Sequence, residues 1–383
     1  MFNFNHQTRI ISGAGSLGEV GTQAKSLGAT KALIVSDPFF KDSKTIDFII
    51  DCLKKEEISS FTYTKVQPNP RDYDCEEGAE IAKEQGIDII IGLGGGSALD
   101  EAKAIAALVS NGGKCSDWDF TDLDKPMLAN ICIPTTAGTG AEVTFCAVLD
   151  DTDRHFKMAM FDSINLIPTI AILDPELTIT LPQSATAGPG MDVMTHAIEA
   201  YTVKVHNPIS DSLALSAIKL VKKYLPIAFT NPTNIEAREK MLIASSMAGM
   251  AFINSNVGAV HAMSETIGAK YDLPHGLLNA LLLTPVIEYS LDAEIERYAD
   301  IAVALGVDPD GKNSSQVAEE GLKVLREFTK QFNFPNLEKL DKFGQDDFDS
   351  LAEKALINDL TADNAKELTK KGYIEILEKA YKF

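Results

Sequence analysis

Short apolar, β-branched runs alternate with amphipathic helical ones through the first half of the chain, the texture that a parallel sheet built from βαβ units requires. Residues 31–36 read as a strand, 45–55 as a helix, 60–66 as a strand and 75–85 as a helix. A buried strand over 87–93, a helix over 98–108 and a strand over 129–133 follow. The runs 143–149 and 155–160, separated by Asp150-Asp-Thr-Asp-Arg154, predict a hairpin added to that sheet, and 169–173 closes the strand series. After Leu181-Pro182 the strand patterns stop, and apolar residues at three and four spacing continue to a last helical stretch over 365–381. The pattern thus predicts an α/β domain over residues 1–182 and an all-helical domain over 183–383. A crevice between two such domains is a common place for a ligand.

Composition narrows the function classes. A length of 383 residues fits about two domains, and 45% hydrophobic residues are enough for large cores. With 35 basic against 55 acidic residues the net charge is −20, which disfavours docking onto nucleic acid or anionic lipid unless a local basic patch exists. The lysine pairs Lys54-Lys55 and Lys370-Lys371 sit among acidic residues and read as solvated helix faces. No run approaches the ~20 apolar residues that span a bilayer, and the start of the chain carries no apolar signal core. The five cysteines are widely spaced and include no C-x-x-C pair, so neither a disulfide framework nor a thiolate zinc site is suggested, and a reducing cytoplasm fits.

Three segments carry candidate cofactor chemistry. Gly92-Leu-Gly-Gly-Gly-Ser97 joins an apolar strand to a helix; glycines there let the backbone approach a pyrophosphate, and the helix N-terminus offers unpaired N–H groups. The spacing is not G-x-G-x-x-G, so a purely structural turn is the competing reading. Asp37 ends the first clear strand, where a carboxylate accepts from a ribose 2′-OH and repels a 2′-phosphate; Asp37-Pro38 also suits a plain helix cap. The hydroxyl-rich turn Pro134-Thr-Thr-Ala-Gly-Thr-Gly140 suits phosphate or amide contacts, or is simply a turn.

A second constellation points to a metal. Asp192 and His196 stand four apart on one face of a predicted helix, a second predicted helix carries His261, and Leu273-Pro-His275-Gly supplies a third imidazole fourteen residues later. Together they make a shell of three imidazoles and one carboxylate, which suits Fe, Zn, Ni, Co or Mn; affinity order does not by itself select iron. Singly, each histidine is more often a satisfied polar residue or a helix-end group than a ligand; three of the six falling in two matched helical contexts weakens that reading. His6, His155 and His206 read as structural or exposed.

On these residues the chain resembles the iron-containing (group III) alcohol dehydrogenase family, which includes 1,3-propanediol, lactaldehyde and butanol dehydrogenases. The resemblance runs nearly end to end, through Gly13-Ala-Gly-Ser-Leu17, Pro68-Asn-Pro70, Gly94 to Lys103, Pro134 to Gly140, Leu173 to Thr178, Gly190 to Tyr201 and Pro274-His-Gly276. It implies a Rossmann-like N-terminal domain and an all-α C-terminal domain of dehydroquinate synthase-like architecture, with metal ligands at Asp192, His196, His261 and His275, iron first among the metals. It implies that Asp37 and Asn69 contact the adenosine half of NAD, that Gly95, Gly96 and Ser97 bind pyrophosphate, and that Asp100, Thr136, Thr139 and Lys157 line the rest of the dinucleotide site. It also implies a small alcohol or aldehyde substrate and a homo-oligomer. One departure stands out. Where the family usually has a second histidine four residues after the His261 position, this chain has Glu265, a candidate proton carrier, extra metal ligand or mark of a changed substrate. Asp363-Asn-Ala-Lys366 also lacks the family's Asn-Pro-Arg, a difference expected to be peripheral. Two other functions compete: a metal-dependent lyase of the dehydroquinate synthase type, which needs lysine and arginine around the metal, and a metal- and nucleotide-binding protein without turnover.

Overall fold

A computed structural model describes residues 1–154, 156–340 and 343–382; His155, the first residue of the second expected hairpin strand, falls outside them. The chain forms two compact units, one of residues 5–180 and the other of residues 1–4 with 181–383. No described helix is long and apolar enough to cross a membrane.

In the first unit the strands are β1 (Arg9–Ser12), β2 (Lys31–Ser36), β3 (Ser59–Tyr63), β4 (Ile89–Gly94), β5 (Ala129–Pro134), β6 (Cys146–Asp151), β7 (Phe156–Phe161) and β8 (Ile170–Leu173). The helices are α1 (Val20–Ser26), α2 (Lys44–Lys55), α3 (Asp72–Gln85) and α4 (Gly96–Asn111). Six strands form one sheet in the order β1-β8-β5-β4-β2-β3, every neighbouring pair parallel. Because side chains alternate across a strand, Leu33, Val35 and Ile90 enter one core with residues of α3 and α4, while Ala32, Ile34, Ile89 and Ile91 enter another with α1 and α2. Both faces are therefore dry, which is why these strands read as continuous apolar runs.

The hairpin corrects the sequence reading. β6 and β7 pair antiparallel as a separate two-stranded sheet rather than joining the six. Their inward residues Ala147, Leu149, Met158 and Met160 pack into the core that holds α4. Alternation alone announces a half-buried hairpin but not which sheet it belongs to.

The second unit is helical: α5 (Gln183–Thr202), α6 (Pro208–Thr230), α7 (Ile235–Ile253), α8 (Ala259–Tyr271), α9 (His275–Ser290), α10 (Ile295–Ala304), α11 (Ser314–Lys330), α12 (Phe348–Leu356), α13 (Leu360–Asp363) and α14 (Lys370–Tyr381). α5 is the hub: it packs on α6, α7 and α9, and Gly190 through Thr202 are all buried. At the start of α9 a side chain on Gly276 would stand 2.5 Å from the backbone of Gly188. Only glycine permits this approach of α9 to α5, and it carries the neighbouring His275 towards the buried face of α5.

Candidate metal centre and dinucleotide cradle

α5 presents Asp192, His196 and Glu199 at positions i, i+4 and i+7, one face of a helix. Asp192 Oδ1 lies 3.7 Å from Nε2 of His196, of His261 and of His275, so one buried carboxylate oxygen faces three imidazole nitrogens drawn from α5, α8 and α9. The donor atoms of Asp192, His261 and His275 all lie within 4.8 Å of one another. His196 is stacked between the ring of Phe252 at 4.3 Å and that of His261 at 4.6 Å, which sets the plane of its imidazole. This donor set suits a divalent cation of the Fe, Co, Ni or Zn type, so the residues present fit a metal.

Second contacts orient these donors. Glu199 Oε1 accepts the Val260 N–H at 2.8 Å, and its Oε2 takes the Nδ1–H of His261. That bond takes the Nδ1 hydrogen and leaves Nε2, on the Asp192 side, as the atom for a metal once a cation replaces its proton, the usual way a ligating imidazole is held. α8 has no cap of its own at Gly258; Glu199 satisfies Val260, and Asn364 Oδ1 accepts from Ala259 N at 3.3 Å. Asn364 is buried and also donates to Ser290 Oγ. The 363–366 stretch is thus not peripheral: it seats the helix that carries His261.

Charge in the site is tightly coupled. Burial opposes ionisation of Asp192, but His196 and His261 outweigh it and hold the carboxyl well below the usual range. Burial likewise opposes a charged His261, but Glu199 and Asp192 prevail and raise its pKa to about 10. The pocket therefore favours positive charge, which a bound cation supplies in place of protons.

Glu265 lies one turn after His261 on α8, half-buried, and its Oε2 accepts from Asn358 Nδ2 at 3.0 Å. His206 is exposed beside Asp211 at 3.3 Å, and His6 is exposed.

The α/β unit places the other candidates. Following β2 outward the chain turns to β3, and following β4 it runs the opposite way to β5. The order reverses between β2 and β4, the switch point at whose carboxyl ends nucleotides bind in open parallel sheets. Asp37 follows β2 and Gly95-Gly96-Ser97 follows β4. Asp37 Oδ1 caps the short turn Pro38–Phe40 through Phe39 N at 2.9 Å, so the cap reading holds, while Oδ2 faces Gly94. Gly95 faces Thr136, and a side chain on Gly96 would meet Thr139 at 2.6 Å. The glycine turn and the threonine turn are thus in contact, and α4 starts without a side-chain cap, leaving its first N–H groups for a ligand.

Asp100 pairs with the fully buried Lys103 at 2.9 Å and accepts from Val148 N at 3.2 Å. The Lys103 ammonium also donates to Ala141 O at 3.0 Å and Thr144 Oγ1 at 3.2 Å, pinning the irregular segment after the threonine turn. Asn69, with φ +58°, accepts from Lys157 Nζ at 3.1 Å, and Lys157 lies 3.4 Å from Asp150.

A parallel sheet with a glycine-rich turn at its switch point, and a helical unit that gathers three histidines around one aspartate, suit a protein that binds a nucleotide and a divalent metal. Two family models match in tandem: iron-containing alcohol dehydrogenase over residues 7–175, and the C-terminal part of the same family over residues 186–381. The chain belongs to the iron-containing alcohol dehydrogenase family and is an enzyme of that class. It is 36% identical over 381 residues to the NAD-dependent methanol dehydrogenase of Bacillus methanolicus, covering 99% of this chain and 100% of that one. To the 1,3-propanediol dehydrogenase of Citrobacter freundii it is 35% identical, covering 100% of this chain and 99% of that one. The solved structure of an alcohol dehydrogenase from Oenococcus oeni matches with a TM-score of 0.95 at 35% identity, covering 100% of both chains.

Proposed function

We propose that the protein uses NAD to interconvert a small primary alcohol or diol with its aldehyde at a divalent metal, iron foremost, with Zn2+, Ni2+, Co2+ and Mn2+ as the other candidates. The observation that carries this reading is the convergence of His196, His261 and His275 on Asp192 Oδ1, each at 3.7 Å. These four residues would hold the ion, which when bound acts as a Lewis acid on the substrate oxygen. The dinucleotide supplies the hydride chemistry.

The chain's own residues do the rest. Glu199 locks His261 in the ligating tautomer, and Phe252 holds the plane of His196. Gly95, Gly96 and Ser97 offer the pyrophosphate a close backbone and the open end of α4; Thr136, Thr139, Asp100 and Lys157 complete the wall, and Asn69 with Asp37 meets the adenosine half. The Asp37 carboxylate accepts from a ribose hydroxyl and repels a 2′-phosphate, selecting NAD over NADP. Glu265, held by Asn358, is the residue we assign to carry the alcohol proton towards solvent. The dispersed cysteines and the family resemblance support a cytoplasmic homo-oligomer.

Family membership favours this reading over a lyase of the dehydroquinate synthase type and over a binding protein without turnover. The test is NADH oxidation with a panel of small aldehydes, on metal-free protein reloaded anaerobically with Fe, Zn, Ni, Co or Mn. Turnover restored by metal supports the assignment. NADH binding without turnover under every metal refutes it, and Glu265→His is then the first variant to make.

A further inference from the structure

We propose that Glu265 determines specificity and selects substrates whose far end carries an ammonium group, the class of short amino alcohols and amino aldehydes. The inference rests on the alcohol dehydrogenase reading above and narrows its substrate. Glu265 follows His261 by four residues on α8, and residues so placed share a helix face about 5–6 Å apart. A three-carbon chain with a hydroxyl at one end and an amine at the other covers that separation.

Charge is what singles this residue out. Asp192 and Glu199 are both engaged with imidazoles, Asp192 with three and Glu199 with His261. Together these two carboxylates match the charge of a divalent ion. Glu265 has no counter-charge. Among the described residues its one hydrogen bond comes from a neutral amide, Asn358 Nδ2 to Oε2 at 3.0 Å, and no lysine, arginine or histidine pairs with it. The side chain is half-buried, so water hydrates its charge less fully than on open surface. Asn358 steadies the carboxylate through Oε2 and leaves Oε1 for a ligand. A substrate ammonium offers Oε1 a charge-assisted hydrogen bond, roughly twice as strong as a neutral one. The hydroxyl of a diol offers only the neutral kind, and an alkyl end offers none. The reaction is otherwise unchanged: the carbinol carbon gives a hydride to NAD, its hydroxyl gives up a proton, and the ammonium keeps all its bonds.

The experiment compares butan-1-ol, 1,3-propanediol and 3-amino-1-propanol, chains of equal length that end in a methyl, a hydroxyl and an ammonium. For the parent and Glu265→Gln it measures kcat/KM with NAD on the metal-loaded full chain at neutral pH. Ligand-observed NMR gives the dissociation constants of the same alcohols from the Zn2+-loaded chain without NAD. We expect the parent to favour the amino alcohol over the other two at least tenfold in both measures. Glu265→Gln keeps the shape and the bond to Asn358, and should reduce that preference at least tenfold. The ratio between the diol and butan-1-ol should stay within threefold of the parent's. The proton route assigned to Glu265 affects all three alcohols alike, so it cancels in these ratios and does not enter the binding constants. A parent that handles butan-1-ol or the diol as well as the amino alcohol overturns the inference and leaves the dehydrogenase reading standing. So does a preference that survives in Glu265→Gln. A parent inactive with every alcohol and aldehyde under every metal removes the dehydrogenase reading, and this inference with it.

Discussion

Glu199 never touches the proposed ion, yet its charge governs a ligand that does. Its two oxygens have one donor each: Val260 N–H at 2.8 Å and the Nδ1–H of His261. Glu199→Gln keeps the shape and removes the charge. The glutamine has a single acceptor oxygen, so its NH2 must face one of those two donors, and one buried donor goes unmet at a cost of ~1–3 kcal/mol in the stability of the metal-free protein. If the Val260 bond is kept, His261 loses the carboxylate that fixes its tautomer. Loss of such a partner typically weakens metal binding about 10–100-fold, or ~1.4–2.8 kcal/mol. Chelator competition measures the affinity, and thermal denaturation of the metal-free protein measures the stability. A variant that loses stability but binds metal within twofold of the parent would refute the assignment, because Glu199 would then be only the cap of α8.

Three further outcomes follow from the α/β unit. Glu101 is fully buried, neither carboxyl oxygen has a partner among the described residues, and burial, with Asp74 and Glu77 adding to it, pushes its pKa up to about 8. A raised folded pKa means that its stabilising contribution is whole below about 4.5 and is lost as pH rises through about 8. The stability gap between Glu101→Met and the parent should therefore widen from pH 5 to pH 9 by roughly 4 kcal/mol, and parallel denaturation curves across that range would count against it. Gly96→Ala drives a methyl into Thr139 and should raise the KM for NADH about tenfold or more with a smaller change in kcat; an unchanged KM would show that the two turns do not shape the cradle. Asp37→Ser removes the charge set against a 2′-phosphate and should raise kcat/KM for NADPH relative to NADH by roughly tenfold, a ratio read directly from initial rates.

Much of this was legible because buried elements write long patterns. β2, β4 and β5 are buried along nearly their whole length and read as mainly apolar runs. β1 escaped notice because it is a four-residue edge strand with three exposed positions, and α1 because it is only seven residues long. The last expected helix starts later than its pattern suggested, at Lys370 behind the Thr369 cap. In the metal centre, Asp192 and His196 were visible from their spacing on one helix. Glu199 repeats that signal, at i+7 from Asp192, but glutamate is common on helices, so spacing alone does not single it out. Asn358 and Asn364 leave no local trace, since the groups they serve, Glu265 and Ala259, lie about a hundred residues earlier in the chain.

The most direct test of the account is to titrate metal-free protein with Fe2+ under anaerobic conditions and to follow bound metal and NADH oxidation together, in the parent and in His261→Ala. The account predicts that activity rises in proportion to occupancy, saturates at one ion per chain, and is absent from the variant at every metal concentration. Activity that is independent of bound metal, or that survives in His261→Ala, would contradict it.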